Sequence, residues 1–320
     1  MPRLKRVRPG ADLGYRRVRA GSGFRYTDAD GAALPAAERE RAAALVIPPA
    51  WTDVWISAVP NGHIQATGHD EAGRLQYVYH LDWSAGRDKG KYGRALQLAE
   101  SLPRARGRVT TSLRRDELDR ERLLATAFRL LDRAAPRVGS EKYLTKHGSR
   151  GLTTLQRRDA TVEASLISLR FPGKSGKRQS LDIDDDELAV VMALLVAGRP
   201  GSPLLAYERG RRRVPLTPKD VNVYVRTMTG GAFTAKDFRT LHGTILAADA
   251  LARIGPAATK NDRKHAEVLA VKAAAESLGN TPSVAKSSYI DPRVFDRYRK
   301  GALLDIAVSP ESAIRTLILG

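Results

Sequence analysis

The spacing of apolar residues changes part-way along the chain. From Gly23 to about Trp83 it is strand-like: Val54, Ile56 and Ala58 alternate with polar positions. His63–Gly68 and Arg74–His80 flank Asp70-Glu71-Ala72-Gly73, which predicts a β-hairpin. A period of two puts Leu75, Tyr77 and Tyr79 on one strand face, and Arg74, Gln76 and Val78 on the other. Residues 1–20, rich in Arg and Gly, predict a flexible arm. Ser84–Arg94 shifts to Gly, Lys and Arg and predicts a linker.

Past that point the helical period takes over. Leu123, Leu124, Ala127, Phe128, Leu130 and Leu131 form an apolar stripe that must stop before Pro136. A three-stranded β insertion is expected next, from Leu152–Leu155, Thr161–Val162 into Leu166–Phe171, and Gln179–Ile183. Pro172-Gly173-Lys174-Ser175-Gly176-Lys177 joins the last two as a hairpin loop. Asp184–Glu187 puts acids at the start of a helix running to about Val196. Thr217-Pro218-Lys219-Asp220 reads as N-cap, N1 proline and N3 acid, and Thr234-Ala235-Lys236-Asp237 opens a helix ending at Gly255. Asn261–Leu278 is alanine-rich and closes at Gly279. The apolar Leu317-Ile318-Leu319 reads as the start of a truncated element. The expected fold is α+β: a small β-sheet-rich domain over 1–88, then a larger, mainly helical domain over 89–320 carrying the three-stranded insertion.

Composition narrows the function. The 320 residues include 54 Lys and Arg against 35 Asp and Glu, a net charge of +19. Such a surplus favours a polyanionic partner. With no cysteine, disulfides and Cys-ligated zinc or iron–sulfur sites are excluded. No stretch approaches the ~20 apolar residues of a membrane span, so nucleic acid outranks lipid as the anion. A cytoplasmic, nucleoid-associated protein without cofactor is the expectation.

The chemistry points the same way. Gly279-Asn280-Thr281-Pro282 ends a helix, and Lys286-Ser287-Ser288-Tyr289 then presents one tyrosine in a basic segment. A phenol attacks phosphorus well only when neighbouring cations favour the phenolate. Candidates for those cations are Arg137, Lys174, and the pair Lys236 and Arg239, which share a helix face at i and i+3. Arginine's fork matches two phosphate oxygens, whereas lysine can surrender a proton. Other motifs fail. Gly173-Lys174-Ser175 lacks the first P-loop glycine, since Ser168 stands there, and Gly21-Ser22-Gly23 lacks the third glycine of a dinucleotide fingerprint. Asp182 and Asp184–Glu187 suit a helix start better than a metal.

These residues resemble the poxvirus-type and small bacterial type IB DNA topoisomerases over nearly the whole chain. Gln76, Tyr77 and Tyr79 resemble the family's N-terminal hairpin. Arg137-Val138-Gly139, with Lys142-Tyr143-Leu144 and Gly151–Leu155, is similar to its first arginine block. Phe171-Pro172-Gly173-Lys174 resembles the lysine hairpin, Lys236-Asp237-Phe238-Arg239-Thr240 the Lys-x-x-Arg box, and Lys286–Arg293 the nucleophile segment. The resemblance implies a tyrosine recombinase/topoisomerase IB-like catalytic fold and a monomer clamping duplex DNA. Tyr289 would form a 3′-phosphotyrosyl link, Arg137 and Arg239 would hold phosphate oxygens, and Lys174 would protonate the leaving 5′-oxygen. Lys236 would orient the phosphate or the lysine loop; Gln76, Tyr77 and Tyr79 would touch DNA. Asn280 stands where many relatives carry histidine, so a neutral hydrogen bond replaces a charged one. Two alternatives stay open: a tyrosine recombinase, although those typically have His-x-x-Arg, and a non-catalytic DNA-binding protein.

Overall fold

The computed structural model describes residues 3–320, leaving aside the side chains of residues 85, 87–89 and 175. It divides into two compact units, Met1–Gly90 and Lys91–Gly320.

The first unit is an antiparallel sheet in the order β2-β1-β3-β4-β5. Its strands are β1 (Gly14–Ala20), β2 (Gly23–Thr27), β3 (Thr52–Ser57), β4 (Ile64–His69) and β5 (Leu75–Tyr79), with helix α1 (Ala36–Ala44) between β2 and β3. Ala42 of α1 packs with Ile47, Val54, Ile56 and Ala66, and Tyr15, Tyr26 and Val78 close that core. Arg17 ties the return from α1 to the sheet by donating to the Ile47 and Trp51 carbonyls at 2.7 and 2.8 Å. The β4–β5 hairpin forms as its turn residues require: Asp70 accepts from the backbone of Ala72 and Arg74. Val78 faces the core, while Leu75 and Tyr77 are exposed.

Two expectations fail here. The predicted arm over 1–20 is folded wherever it is described, Met1 and Pro2 lying outside the described residues. Lys5 pairs with Gly62, Val7 is buried and donates to His63 Nδ1 at 3.1 Å, and residues 14–20 form β1. Charge counting hid the apolar Val7 and Tyr15, and arginines such as Arg17 find carbonyl partners. The predicted linker over Ser84–Arg94 is helical, part of α2 (Leu81–Leu113). Its glycines each weaken a helix by about 1 kcal/mol relative to alanine. The buried run Tyr92, Ala95, Leu96, Leu98, Ala99 and Leu102 outweighs them.

The second unit is mainly helical: α3 (Arg120–Ala134), α4 (Glu141–His147), α5 (Asp186–Val196), α6 (Pro218–Thr229), α7 (Ala235–Ile254), α8 (Lys260–Ser277), α9 (Pro282–Ser288), α10 (Arg293–Arg299) and α11 (Pro310–Leu319). A three-stranded antiparallel sheet, β6 (Ala160–Glu163), β7 (Leu166–Pro172) and β8 (Arg178–Asp184), stands between α4 and α5. A short hairpin of β9 (Ala206–Arg209) and β10 (Arg212–Pro215) precedes α6. The insertion therefore has three strands, but its first is 160–163. The expected strand over Leu152–Leu155 is a 3₁₀ turn at Leu152–Thr154, because its backbone bonds the loop after α3 instead of a neighbouring strand.

Caps fix the helix starts as read. Asp185 accepts from Leu188 N, Thr217 and Asp220 form a reciprocal box, and Pro218 occupies the first turn of α6. Phe128 of α3 meets Tyr224 of α6 and Phe238 of α7 edge-on, at centroid distances of 6.4 and 5.4 Å. Arg106 of α2 holds Asp132 at 2.8 and 2.9 Å and also binds Glu311 of α11. Leu317–Leu319 therefore ends a helix rather than beginning one, and Ile318 is buried.

Candidate active site

The segment after α3 is rigid before any side chain is considered. Ala135 closes the helix in the left-handed region at φ 45°, and Pro136 prevents its continuation. Leu152 N and Thr153 N then donate to the carbonyls of Arg137 and Val138 at 2.8 and 2.9 Å. Arg137 therefore leaves a fixed backbone, half-buried, and donates through Nη2 to Asn280 Oδ1. Lys174 begins the turn between β7 and β8, closed by Gly173 N donating to Lys177 O at 2.8 Å. Its side chain is exposed and carries no partner among the described residues.

Lys236 and Arg239 share the first turns of α7 but not an environment. Lys236 is exposed; Arg239 is 4% exposed and donates to Ala135 O and Leu278 O at 2.7 and 2.8 Å. Burial and then the like charge of Arg137 press the Arg239 pKa down; a guanidinium remains charged regardless. The like charge acting on Arg239 is Arg137.

Tyr289 caps the C-terminus of α9, its N–H donating to Ala285 O at 2.9 Å. Its backbone is docked on α7: the Thr244 hydroxyl lies 3.2 Å from Tyr289 O and accepts from Asp291 N at 3.1 Å. Gly243 makes that approach possible, because a Cβ there would fall 2.7 Å from Tyr289 O. The ring lies under Arg239, whose guanidinium carbon is 4.9 Å from the centroid. Burial pushes the phenol pKa up, but Arg239 and then Arg137 outweigh it, and the net direction is below the ordinary phenol value.

Arg137, Lys174, Lys236, Arg239 and Tyr289 line one cavity of about 410 Å³. Asn280 reaches the group through Arg137; its Nδ2 is buried and without a partner among the described residues. Two further cations or rings face the cavity that motif reading did not select, Tyr143 and Arg150. Arg150 joins the site through its backbone, donating to Pro172 O at the neck of the lysine hairpin at 2.7 Å, and pairs with buried Asp159 at 2.6 Å. Only its place beside Gly151 in the quoted block marked it. Gln76, Tyr77 and Tyr79 belong to the first unit. The two tyrosines stack at 5.7 Å and 11° on the exposed face of β5, while Gln76 donates to Asp70 at 2.8 Å. Asp182 pairs with Arg170 and Asp185 caps α5, so the acidic run serves local structure. No helix among the described residues is long and apolar enough to cross a membrane.

A phenol with lowered pKa among guanidiniums and exposed lysines suits attack on a phosphodiester. Comparison with known proteins gives the family. The catalytic-core model of eukaryotic DNA topoisomerase I matches residues 81–302, and the N-terminal-domain model of bacterial DNA topoisomerase IB matches residues 23–70. The chain belongs to the type IB DNA topoisomerases. It is 30% identical over 268 residues to the DNA topoisomerase 1B of Acanthamoeba polyphaga mimivirus, covering 81% of this chain and 80% of that protein. A DNA-acting isomerase is thereby identified, in preference to a recombinase or a non-catalytic binder. The mixed architecture, a β-sheet unit followed by a mainly helical core, agrees with the type IB fold.

Proposed function

We propose that the chain relaxes supercoiled duplex DNA by cutting and resealing one strand through Tyr289. The Tyr289 phenolate, its proton lost to water, bonds the scissile phosphorus while the bond from phosphorus to the 5′-oxygen breaks. Lys174 gives its proton to that oxygen and regains one from water. The products are a 3′-phosphotyrosyl ester and a 5′-hydroxyl strand. Because the ester keeps the bond energy, the reverse attack reseals the strand without ATP. Arg137 and Arg239 meet the charge that builds on the non-bridging oxygens, and no step calls for a metal. Lys236 orients the phosphate or the lysine loop.

Asn280 acts as a neutral contact. Its Oδ1 is engaged by Arg137, so the unpartnered Nδ2 is the end that donates to a phosphate oxygen. The first unit grips the duplex: Tyr77 and Tyr79 meet it from the open face of β5, and Gln76, on the other face of the strand and held by Asp70, reaches the DNA only on exchanging Asp70 for a phosphate. The protein works as a monomeric clamp, and strand rotation during the covalent interval removes supercoils.

The observation that carries this reading is the convergence on one cavity of a phenol and four cations drawn from four separate stretches of chain. The test is plasmid relaxation with excess EDTA and no ATP. Relaxation to completion is expected. A requirement for metal or nucleotide contradicts the mechanism.

A further inference from the structure

Between the lysine hairpin and the turn before Asn280 lies a side chain to which no role has been given. Gln179, at the start of β8, pairs with Phe171 across the hairpin. Its side chain crosses the neck of the loop: a Cβ on Gly173 would fall 2.5 Å from Gln179 Cγ. Its amide then rests on Gly279, where a Cβ would fall 2.0 Å from Oε1 and 2.3 Å from Nε2. Gly173 precedes Lys174, and Gly279 precedes Asn280. Both glycines are bare where Gln179 needs room, and Gly279 also sits at φ +59°. One side chain is thus wedged between the residues that carry two of the proposed phosphate-handling groups. The contact is steric; no hydrogen bond of the Gln179 amide is found among the described residues.

We infer that Gln179 is a positioning residue, which seats the neck of the lysine hairpin on the Gly279–Asn280 turn and so sets where Lys174 stands relative to the scissile phosphate. This rests on the proposed role of Lys174 as the acid. Lys174 is exposed at the tip of a turn, with no ion pair to hold it among the described residues. Its position therefore depends on the neck below it. The neck is held by the Gly173–Lys177 and Arg150–Pro172 backbone bonds and, on the side of the nucleophile segment, by Gln179. Proton transfer demands hydrogen-bond reach, so a small displacement of the neck weakens the acid while leaving Tyr289 and both arginines in place.

The chemistry of the leaving group separates this role from a general structural one. A bridging 5′-sulfur leaves without protonation, whereas a 5′-oxygen does not. Single-turnover cleavage is measured on matched oligonucleotides with bridging 5′-oxygen or 5′-sulfur, for the full chain and for Gln179→Ala and Gln179→Met. Gln179→Ala is expected to slow cleavage of the oxygen substrate about ten- to hundredfold, and to cleave the sulfur substrate within about threefold of the unsubstituted chain. Gln179→Met, which keeps the length and bulk of the wedge, is expected to stay close to the unsubstituted chain on both. Equal slowing on both substrates, or no slowing on oxygen, overturns the inference. Failure of the unsubstituted chain to form a covalent adduct on either substrate would instead overturn the proposed mechanism.

Discussion

Arg239 is held for two reasons at once, and they can be separated by measurement. Its guanidinium donates to two buried carbonyls, Ala135 O and Leu278 O, and also lies over the Tyr289 ring. Leaving a buried acceptor unpaired costs about 1–3 kcal/mol. Arg239→Ala should therefore lose about 2–5 kcal/mol in urea unfolding as well as cleavage. Arg137 is half-buried and makes its side-chain bond to Asn280, so Arg137→Ala should lose under about 1.5 kcal/mol while also losing cleavage. Equal stability losses would mean that Arg239 is not the structural floor of the site. Sequence alone marked both arginines and Tyr289 through their motif neighbours. It did not separate the buried arginine from the half-buried one, because the acceptors that hold Arg239, Ala135 O and Leu278 O, are carbonyls that any residue supplies.

Helix starts were readable because their chemistry is local. Thr217-Pro218-Lys219-Asp220 and Thr234-Ala235-Lys236-Asp237 form their boxes within four residues, as does the Asp185 cap. The failures at residues 1–20, 84–94 and 152–155 have a common cause: each segment is shaped by distant partners that outweigh its own composition. Gly243 shows the same conflict at one position. Within a helix, Gly→Ala gains about 1 kcal/mol. In α7 the added methyl would lie 2.7 Å from Tyr289 O and 3.0 Å from Leu278 Cδ1. Overpacking of that kind costs about 1–3 kcal/mol, so the clash wins. Gly243→Ala should lower the unfolding midpoint and slow strand cleavage while DNA affinity holds. A stabilised variant with unchanged cleavage would show that the nucleophile segment does not depend on this docking.

For the molecule as a whole, the order of five short motifs carried more than any of them singly, and the family matches over 23–70 and 81–302 agree with it. The net charge of +19 pointed to a polyanion but gave no chemistry. The chemistry came from a tyrosine with separated cations, and the fold brings these to one cavity. What the motifs left out was the support: the Arg150 link to the hairpin neck, the Gln179 wedge and the Thr244 dock beneath Tyr289. These are contacts between segments far apart in sequence, without a periodic signature. Tyr289 is the proposed nucleophile, and peptide mapping of the covalent complex formed on cleaved duplex shows which residue holds the DNA. A 3′-phosphotyrosyl adduct on Tyr289 is expected, absent in Tyr289→Phe although that variant still binds DNA. An adduct on another residue, or strand cleavage that survives in Tyr289→Phe, would contradict it.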